Sequence, residues 1–276
     1  MLAYLILRNF LAVFEAKMVK IVVFSVLFCV VAVNCASPST IDWCQMEEKY
    51  CNGREHIACE PNSFEYDPDS SGIEIVRMSK ELKKVAVDTH NRHRSSVASG
   101  KIPGLSSATK MEKMVWNDHL AYVAEQHVKH GNFEHDQCRS FAQFPLSGQN
   151  LGIIYSSIPL RNLSQTLEDH INLFFDELTI VRDSMPSCID TFTSYSPACI
   201  EAGHFTVMVK DINNAVGCAM AKFQAIYTGR PYFTVLTTCN YAHTNLISHQ
   251  IYARGKPCLE CASIGKSCEK ATKLCV

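Results

Sequence analysis

The segment AVGCAMAKFQAIYTGRPYFTVLTTC, residues 215–239, decides the fold class of this chain. Its two ends, Ala215–Phe223 and Tyr232–Cys239, are short and rich in β-forming residues, and a Gly-Arg-Pro turn lies between them. This pattern predicts a hairpin or two adjacent antiparallel strands. Cys218 and Cys239 lie on the two predicted strands, where a disulfide could join them.

Three amphipathic segments before this hairpin have the spacing of helices. The first begins at Ser79, a good N-cap residue, and stops at Gly100. The second starts at the N-cap residue Asn117 and stops at Gly131, and the third covers about Ser164 to Arg182. Because helices come first and strands later, without strict alternation, we predict an α+β layered domain and not a doubly wound sheet.

The first 35 residues have the layout of a secretory signal peptide. Lys17 and Lys20 precede a short apolar run, residues 21–33, and small residues follow near a cleavage site at Cys35. Translation could also start at Met18. The alternative is a signal anchor, but the apolar run is too short to span a bilayer. We therefore expect a secreted, extracellular protein.

Cysteine usage indicates an oxidising compartment. Of the 14 cysteines, Cys29 and Cys35 leave with the leader, and the remaining twelve can form six disulfides. A zinc cluster at Cys258-x-x-Cys261 is the alternative, but secretion favours disulfides. The cysteines that we expect to be paired are Cys44, Cys51, Cys59, Cys138, Cys188, Cys199, Cys218, Cys239, Cys258, Cys261, Cys268 and Cys275.

Composition narrows the classes of function. A hydrophobic content of 47% and a formal net charge of −1 are ordinary for a globular protein, so nothing points to a nucleic-acid partner. No second apolar span follows the leader, and we predict no membrane span. Residues 36–77 look irregular and form a Cys-containing N-terminal extension. Residues 251–276 form a Cys-rich tail that we expect to be a small appended knot held by cross-links.

Three groups of residues occur in order along the chain. They are Thr89-His90-Asn91-Arg92-His93-Arg94 followed by Trp116-Asn117-Asp118-His119-Leu120-Ala121; Gly203-His204-Phe205-Thr206 followed by Val216-Gly217-Cys218-Ala219; and Cys239-Asn240-Tyr241-Ala242-His243-Thr244-Asn245. Together they resemble the CAP superfamily (SCP/TAPS domain), specifically the insect antigen 5-like, or venom allergen-like, secreted proteins. The resemblance covers roughly residues 44–245.

This resemblance implies a three-layer α-β-α sandwich, the CAP fold, with a central antiparallel sheet between helical layers. We assign the CAP domain to residues 78–250. The resemblance also implies the pairs Cys44–Cys59, Cys51–Cys138 and Cys218–Cys239, and we expect Cys188–Cys199 to be an additional local pair. The four tail cysteines allow three pairings, and the sequence does not choose between them.

Members of this family often carry a surface cleft with two histidines and two acidic residues. By resemblance, His135 and His204 match the histidines, and Glu177, on the predicted third helix, matches one acid. Gln149 stands where the second acid would be, and an amide cannot act as a charged base or a strong anionic ligand. Glu177 is then the only evident base for hydrolytic chemistry.

The same residues have two other interpretations. Two neutral imidazoles facing a carboxylate could hold a divalent metal such as zinc, with His135 and His204 as the metal ligands. Alternatively, His135, Glu177 and His204 hydrogen-bond one another and only fix the shape of the cleft. We expect no cofactor to be required, with zinc as the one candidate.

Three further features have structural and functional interpretations. Asn162 begins an Asn-Leu-Ser sequon in a predicted surface loop, which predicts N-glycosylation. The apolar stripe Leu167, Ile171, Phe174 and Phe175 is interpreted as core, with a lipid-like ligand between helices as the alternative. The basic turn of His90, Arg92, His93 and Arg94 is interpreted as a solvated helix face in which His90 packs inward, with an anionic-glycan contact as the alternative.

We therefore predict a non-enzymatic, antigen 5-like binding effector of saliva, venom or seminal fluid, either an allergen or a protein with a role in the post-mating response. Its partner would be an extracellular protein. One alternative is a carrier of a lipid or other small amphiphile, and another is a metal-dependent hydrolase. The sequence leaves the oligomeric state open.

Overall fold

A computed structural model describes residues 37–184 and 186–276 of the chain. The predicted signal peptide, residues 1–35, lies outside the described residues. The chain divides into two compact units, residues 1–41 and 42–276. In the first unit, the described residues include a single turn of 3-10 helix at Pro38–Thr40.

The second unit contains an ordered series of helices and strands. Its helices are α1 (Gln45–Tyr50), α2 (Lys80–Ala98), α3 (Asp118–Val128), α4 (Leu163–Asp176), α5 (Leu178–Ser184), α6 (Pro197–Glu201) and α7 (Gly203–Val209). Its strands are β1 (Ser70–Val76), β2 (Val115–Trp116), β3 (Gly148–Ser156), β4 (Ala215–Tyr227), β5 (Arg230–Tyr241), β6 (Cys268–Glu269) and β7 (Leu274–Cys275). Short 3-10 helices occur at Pro186–Ile189 and Ala262–Ile264.

The predicted hairpin forms the centre of the sheet. Strands β4 and β5 pair antiparallel over their whole lengths, and Cys218 lies directly opposite Cys239. The turn lies at Thr228 and Gly229, both with positive φ, which suits the right-handed twist of a two-residue hairpin. The strand order is β1-β4-β5-β3, with the short β2 pairing parallel to β4.

Helices cover both faces of this sheet, as expected for an α-β-α sandwich. Alternate residues of β4 face opposite sides. Val216 and Met220 belong to the larger core, with residues of α2, α4 and α7, whereas Ala219 and Phe223 pack with residues of α3. The architecture is a three-layer α+β sandwich with a mainly antiparallel central sheet.

The N-terminal extension is more regular than the sequence predicted. Within residues 36–77, which we expected to be irregular, the structure has helix α1 and strand β1. Strand β1 pairs with β4 and contains a register shift between Ser71 and Glu74. The prediction was wrong because β1 is an edge strand with several exposed side chains, so its apolar periodicity is weak.

The predicted third helix is two helices, α4 and α5, which meet at Glu177. Asn162 caps α4 by accepting a hydrogen bond from the N–H of Gln165 at 3.1 Å. The stripe of Leu167, Ile171, Phe174 and Phe175 is buried in the larger core, which confirms its interpretation as core.

The basic turn does not form a solvated helix face. Arg94 is fully buried, and its guanidinium donates to four backbone carbonyl oxygens at 2.6 to 3.3 Å. Burial lowers the pKa of Arg94 to about 10, so the side chain stays charged at neutral pH. His90 is also fully buried, as expected, whereas Arg92 forms a half-exposed ion pair with Glu168 at 2.9 Å. A carbonyl-lined site for a buried cation is a tertiary feature that a helical pattern does not reveal.

All twelve predicted cysteines form disulfides. The three pairs implied by the family resemblance and the local pair Cys188–Cys199 are confirmed. In the tail, Cys258 pairs with Cys268 and Cys261 with Cys275.

The tail is docked onto the domain and is not only an appended knot. Leu274 lies in the larger core, and the N–H of Cys275 donates to the carbonyl of Met111 at 2.8 Å. The hydroxyl of Ser95 on α2 donates to the carbonyl of Thr272 at 2.7 Å. These contacts explain why residues 42–276 form one compact unit. In the described part of the chain, no helix combines the length and apolar character needed to cross a bilayer.

Candidate functional site

A cleft of about 270 Å³ opens where the start of β3, the end of α6, the start of α7 and two loops meet. It contains three of the four predicted site residues, and Glu177 contacts the cleft residue His204 from the α4–α5 junction. The lining residues are His135, Gln149, Asn150, Ile200, Glu201, Gly203, His204, Val207, Thr244 and Asn245.

Glu177 is tied to the first turn of α7. Its Oε1 accepts a hydrogen bond from Nδ1 of His204 at 2.6 Å. Its Oε2 accepts from the backbone N–H groups of His204 at 2.9 Å and Phe205 at 3.2 Å. Helix α7 has no side-chain cap of its own at Ala202, so Glu177 supplies the missing acceptor across the fold. Both carboxylate oxygens are therefore engaged before any ligand arrives.

Gln149 holds His135 from the opposite side of the cleft. Its Nε2 donates to Oδ2 of Asp136 at 2.7 Å, a bond that fixes the amide orientation because a carboxylate only accepts. Oε1 of Gln149 therefore faces Nδ1 of His135, at 2.7 Å, and Nδ1 must carry the proton. An Arg139–Asp136 ion pair at 2.9 Å completes this network.

The charges of this network follow from burial and its neighbours. Burial lowers the pKa of His135, more than the hydrogen bond to Gln149 raises it, so the imidazole is neutral at neutral pH. Burial alone would raise the pKa of Asp136, but the guanidinium of Arg139, His127 and the amide of Gln149 together lower it. Asp136 is consequently an anion that is paired and hydrogen-bonded inside the protein.

A second polar chain supports the floor of the cleft. The amide of Asn150 donates to the backbone carbonyl of His204 at 3.1 Å and to the hydroxyl of Tyr241 at 3.2 Å. The same hydroxyl lies 2.8 Å from Nε2 of the buried His90. Sequence reasoning missed Asn150, Tyr241 and Asp136 as site residues. The available signals were that Asn150 and Asp136 directly follow Gln149 and His135, and that Tyr241 lies in the third motif, residues 239–245.

The donor set fits a metal only in part. With both Nδ1 atoms facing acceptors, the Nε2 atoms of His135 and His204 are left as two candidate ligands. Among the described residues, no group of three or more His, Cys, Asp or Glu side chains is placed to hold a metal ion. Two imidazoles alone fall short of the three protein ligands of a typical catalytic zinc site.

The cleft also lacks the usual parts of a nucleophilic site. No serine or cysteine is among the residues that line it, and the cysteines of the described ranges are all in disulfides. The hydroxyl-bearing side chain on its wall is Thr244, and within residues 37–184 and 186–276 no base is hydrogen-bonded to that hydroxyl. The arrangement presents a shaped polar surface and no activated nucleophile.

The model of the cysteine-rich secretory protein (CAP) family matches residues 87–241, slightly more than half of the chain. The chain belongs to the CAP family. Relatives within this CAP family include venom allergen-1 of Aedes albopictus, 31% identical over 215 residues, with 78% of this chain and 81% of the relative covered. Antigen 5 like allergen Cul n 1 of Culicoides nubeculosus is 34% identical over 179 residues, with 65% and 77% covered.

Solved structures agree with the CAP fold. The structure of BmVAL-1 matches with a TM-score of 0.59 at 23% identity, covering 72% of this chain and 95% of the other. The crystal structure of NaASP2 with Zn²⁺ matches with a TM-score of 0.57 at 23% identity, covering 72% and 96%. At this identity the likeness supports the CAP fold alone.

Proposed function

We propose that this CAP protein is a secreted, non-enzymatic effector that binds an extracellular partner protein through the His135–His204 cleft. The observation that carries this proposal is the engagement of Glu177, whose two oxygens are already occupied by three donors of α7. These three hydrogen bonds hold the carboxylate against the start of α7 and give it a structural role. The cleft is better suited to present a fixed surface than to turn over a substrate.

Secretion is supported by the predicted signal peptide and by the disulfides. Six disulfides persist only where the environment is oxidising, as it is outside the cell. The relatives are named as venom allergens and an antigen 5-like allergen, which supports a role in a secreted fluid such as saliva, venom or seminal fluid. Immunodetection in salivary gland, venom gland and male accessory gland separates a feeding role from a reproductive one.

The test of the proposal uses two exposed apolar residues. Ile200 lines the cleft and is 50% exposed, whereas Tyr195 is 95% exposed and is not among the lining residues. Wild type, Ile200→Arg and Tyr195→Arg are immobilised and exposed to the target fluid, such as host plasma or female reproductive-tract fluid. We expect one captured protein to be lost with Ile200→Arg and kept with Tyr195→Arg. Equal capture by both variants would show that the cleft is not the interface.

The proposed function requires neither bound zinc nor catalytic activity. The two available imidazole nitrogens should bind Zn²⁺ only weakly, and dialysis against metal-free buffer should remove it. Zinc content is measured by mass spectrometry for wild type and for the double variant His135→Ala/His204→Ala. One equivalent of zinc retained by wild type and lost from the variant would contradict the proposal, as would a hydrolytic activity with the same dependence.

A second candidate function is carriage of a small amphiphile. The apolar stripe of α4 is core, so a ligand between the helices at that place is not supported. A separate pocket of about 600 Å³ favours this function instead. Native mass spectrometry after gentle purification would detect a retained small molecule, whereas the effector function requires none.

We also propose that Asn162 is glycosylated. Its Oδ1 caps α4, and Nδ2, the atom that would carry the glycan, has no hydrogen-bond partner in the described ranges. Ser164→Ala should remove the glycan and leave the cap, whereas Asn162→Ala should remove both and cost about 1 kcal/mol of unfolding free energy. Gel mobility and thermal melts of the two variants distinguish these effects. A wild-type protein with unchanged mobility after glycosidase treatment would disprove the modification.

A further inference from the structure

Tyr66 is an exposed tyrosine in the segment between α1 and β1, where the backbone forms neither helix nor strand. The residue is 63% exposed, and its hydroxyl forms no hydrogen bond within residues 37–184 and 186–276. It is not among the residues that line the cleft of His135 and His204. The phenol is therefore accessible to a modifying enzyme, and no contact of its hydroxyl has to be broken first.

The charged residues around Tyr66 are all acidic. Glu65, Asp67 and Asp69 lie within three positions of it, and residues 61–71 contain no lysine or arginine. Glu65 and Asp69 are exposed, and neither carboxylate forms an ion pair in the described part of the chain. These three carboxylates give residues 61–71 a formal charge of −3, although the whole chain has a net charge of only −1.

The fold holds this acidic segment in place against the residues that follow α3. The ring of Tyr66 stacks on the ring of the buried His130, with 4.4 Å between centroids and 28° between planes. The backbone N–H of Asp67 donates to the carbonyl of His130 at 3.0 Å, and the amide of Asn132 donates to the carbonyl of Glu65 at 3.3 Å. These contacts fix the backbone on both sides of Tyr66, so its exposed part is presented at a defined position.

Exposure alone does not distinguish Tyr66 from two other tyrosines. Tyr195 is 95% exposed and Tyr227 is 51% exposed. Within five residues on either side, Tyr195 has one acidic residue, Asp190, and Tyr227 has none but has Lys222. Of these three tyrosines, Tyr66 is the one that combines an exposed phenol with acidic neighbours on both sides.

We propose that Tyr66 is a site of tyrosine O-sulfation. The phenol oxygen attacks the sulfur of a nucleotide phosphosulfate. The new O–S bond forms as the bond from sulfur to the phosphate oxygen breaks, and the nucleotide phosphate leaves. A base of the transferase takes the phenol proton, and nothing is oxidised or reduced.

Charge explains why such a transferase would select Tyr66. An enzyme that holds a polyanionic sulfuryl donor needs a cationic active site, which attracts an acidic segment and repels a basic one. The proposal rests on secretion, as part of the proposed function, because the transferase would meet this protein on its way out of the cell.

The test uses the full chain with its predicted signal peptide, expressed in insect cells that are fed radioactive sulfate. Protein from the medium is treated with a glycosidase, so that sulfate on a glycan at Asn162 is not counted. We expect sulfate in wild type and in Tyr195→Phe, the matched control at an exposed tyrosine, and none in Tyr66→Phe. Peptide mass spectrometry locates the group.

A second pair of variants tests the role of the acidic neighbours. Glu65→Gln/Asp69→Asn should lower sulfate incorporation per secreted chain by about fivefold or more, the effect of losing two exposed ion pairs with the transferase. Asp67 is left unchanged because its carboxylate shapes the turn that follows. Glu81→Gln/Asp88→Asn, the same charge change at exposed positions of α2, is the control and should incorporate sulfate as wild type does.

Secreted wild-type protein without sulfate on Tyr66 would overturn the proposal and leave secretion intact. Equal incorporation in wild type and Tyr66→Phe would overturn it, as would a group on Tyr66 that a phosphatase removes, because that group would be a phosphate. Unchanged incorporation in Glu65→Gln/Asp69→Asn would contradict the charge argument that carries the proposal. Protein retained inside the cells would overturn secretion, and this proposal with it. Loss of partner capture in Ile200→Arg concerns a different surface, so failure of the cleft function is distinguishable from failure of sulfation.

Discussion

At the scale of single residues, the identity of residue 149 sets the chemistry of the cleft. An amide can accept from His135 and donate to Asp136 at the same time, and the structure shows both bonds at 2.7 Å. A glutamate at this position could not donate to Asp136 unless it was protonated. Because Gln149 is uncharged, the buried carboxylate of Asp136 can lie beside the cleft without a second negative charge at residue 149.

Replacing Gln149 by glutamate tests this view. In Gln149→Glu the new carboxylate faces Asp136, and two like charges in a buried site raise the pKa of at least one of them. We expect a loss of about 2–4 kcal/mol in unfolding free energy at pH 7, with part of that loss recovered at pH 5 as one carboxyl binds a proton. Urea unfolding at both pH values measures the effect. Gln143→Glu, at an exposed position, is the control, and equal losses in the two variants would contradict the account.

At the scale of secondary structure, β4 packs very closely against the start of α3 at Gly217. A Cβ atom added to Gly217 would lie 2.1 Å from the backbone N of Ala121 and 2.5 Å from the carbonyl oxygen of Asn117. Only a residue without a side chain allows the helix to approach the strand this closely. Asn117 is also the N-cap of α3, so the same contact fixes where the helix begins.

This packing predicts a large effect of a single methyl group. Gly217→Ala should cost about 3 kcal/mol or more in unfolding free energy, because the obstructing atoms are backbone and cannot rotate away. Gly203→Ala is the matched control, since a Cβ there meets nothing within 4 Å. Chemical denaturation of the secreted variants measures both. A Gly217→Ala protein as stable as wild type would show that α3 can shift away from the sheet at little cost.

At the scale of the whole molecule, buried histidines connect stability to pH, and four of them have the largest pKa shifts. Burial lowers the pKa of His56, His127 and His170 to about 4 and that of His90 to about 3. In the unfolded chain these groups titrate near pH 6.5. Below that value the unfolded state binds more protons than the folded state, so acid favours unfolding. Above it, all four are neutral in both states and their effect on stability is constant.

The expected result is a melting temperature that is level above pH 7 and falls steadily from pH 6.5 towards pH 4. Each histidine adds a slope of up to about 1.4 kcal/mol per pH unit in that window. His170→Gln removes one of the four groups and should make the fall shallower, and calorimetry from pH 4 to 8 measures it. A melting temperature that does not change between pH 6.5 and 4 would mean that these histidines are protonated inside the folded protein.

The amino-acid sequence by itself determined the structural features that depend on local residue patterns and on the order of motifs along the chain. Strands β4 and β5, helices α2 and α3 with their caps at Ser79 and Asn117, and the α+β class follow from periodicity and turn residues. The pairing of Cys188 with Cys199 follows from their proximity in the chain. Such features need no knowledge of distant segments.

Only the tertiary structure decided features that depend on contacts between distant segments. Strand β1 is recognised by its pairing with β4, Arg94 by the four carbonyls around it, and the docked tail by its contacts with α2 and Met111. The break at Glu177 likewise follows from its bonds to α7, 27 residues further along the chain. Burial and hydrogen bonding at these places are set by neighbours in space, which local periodicity does not encode.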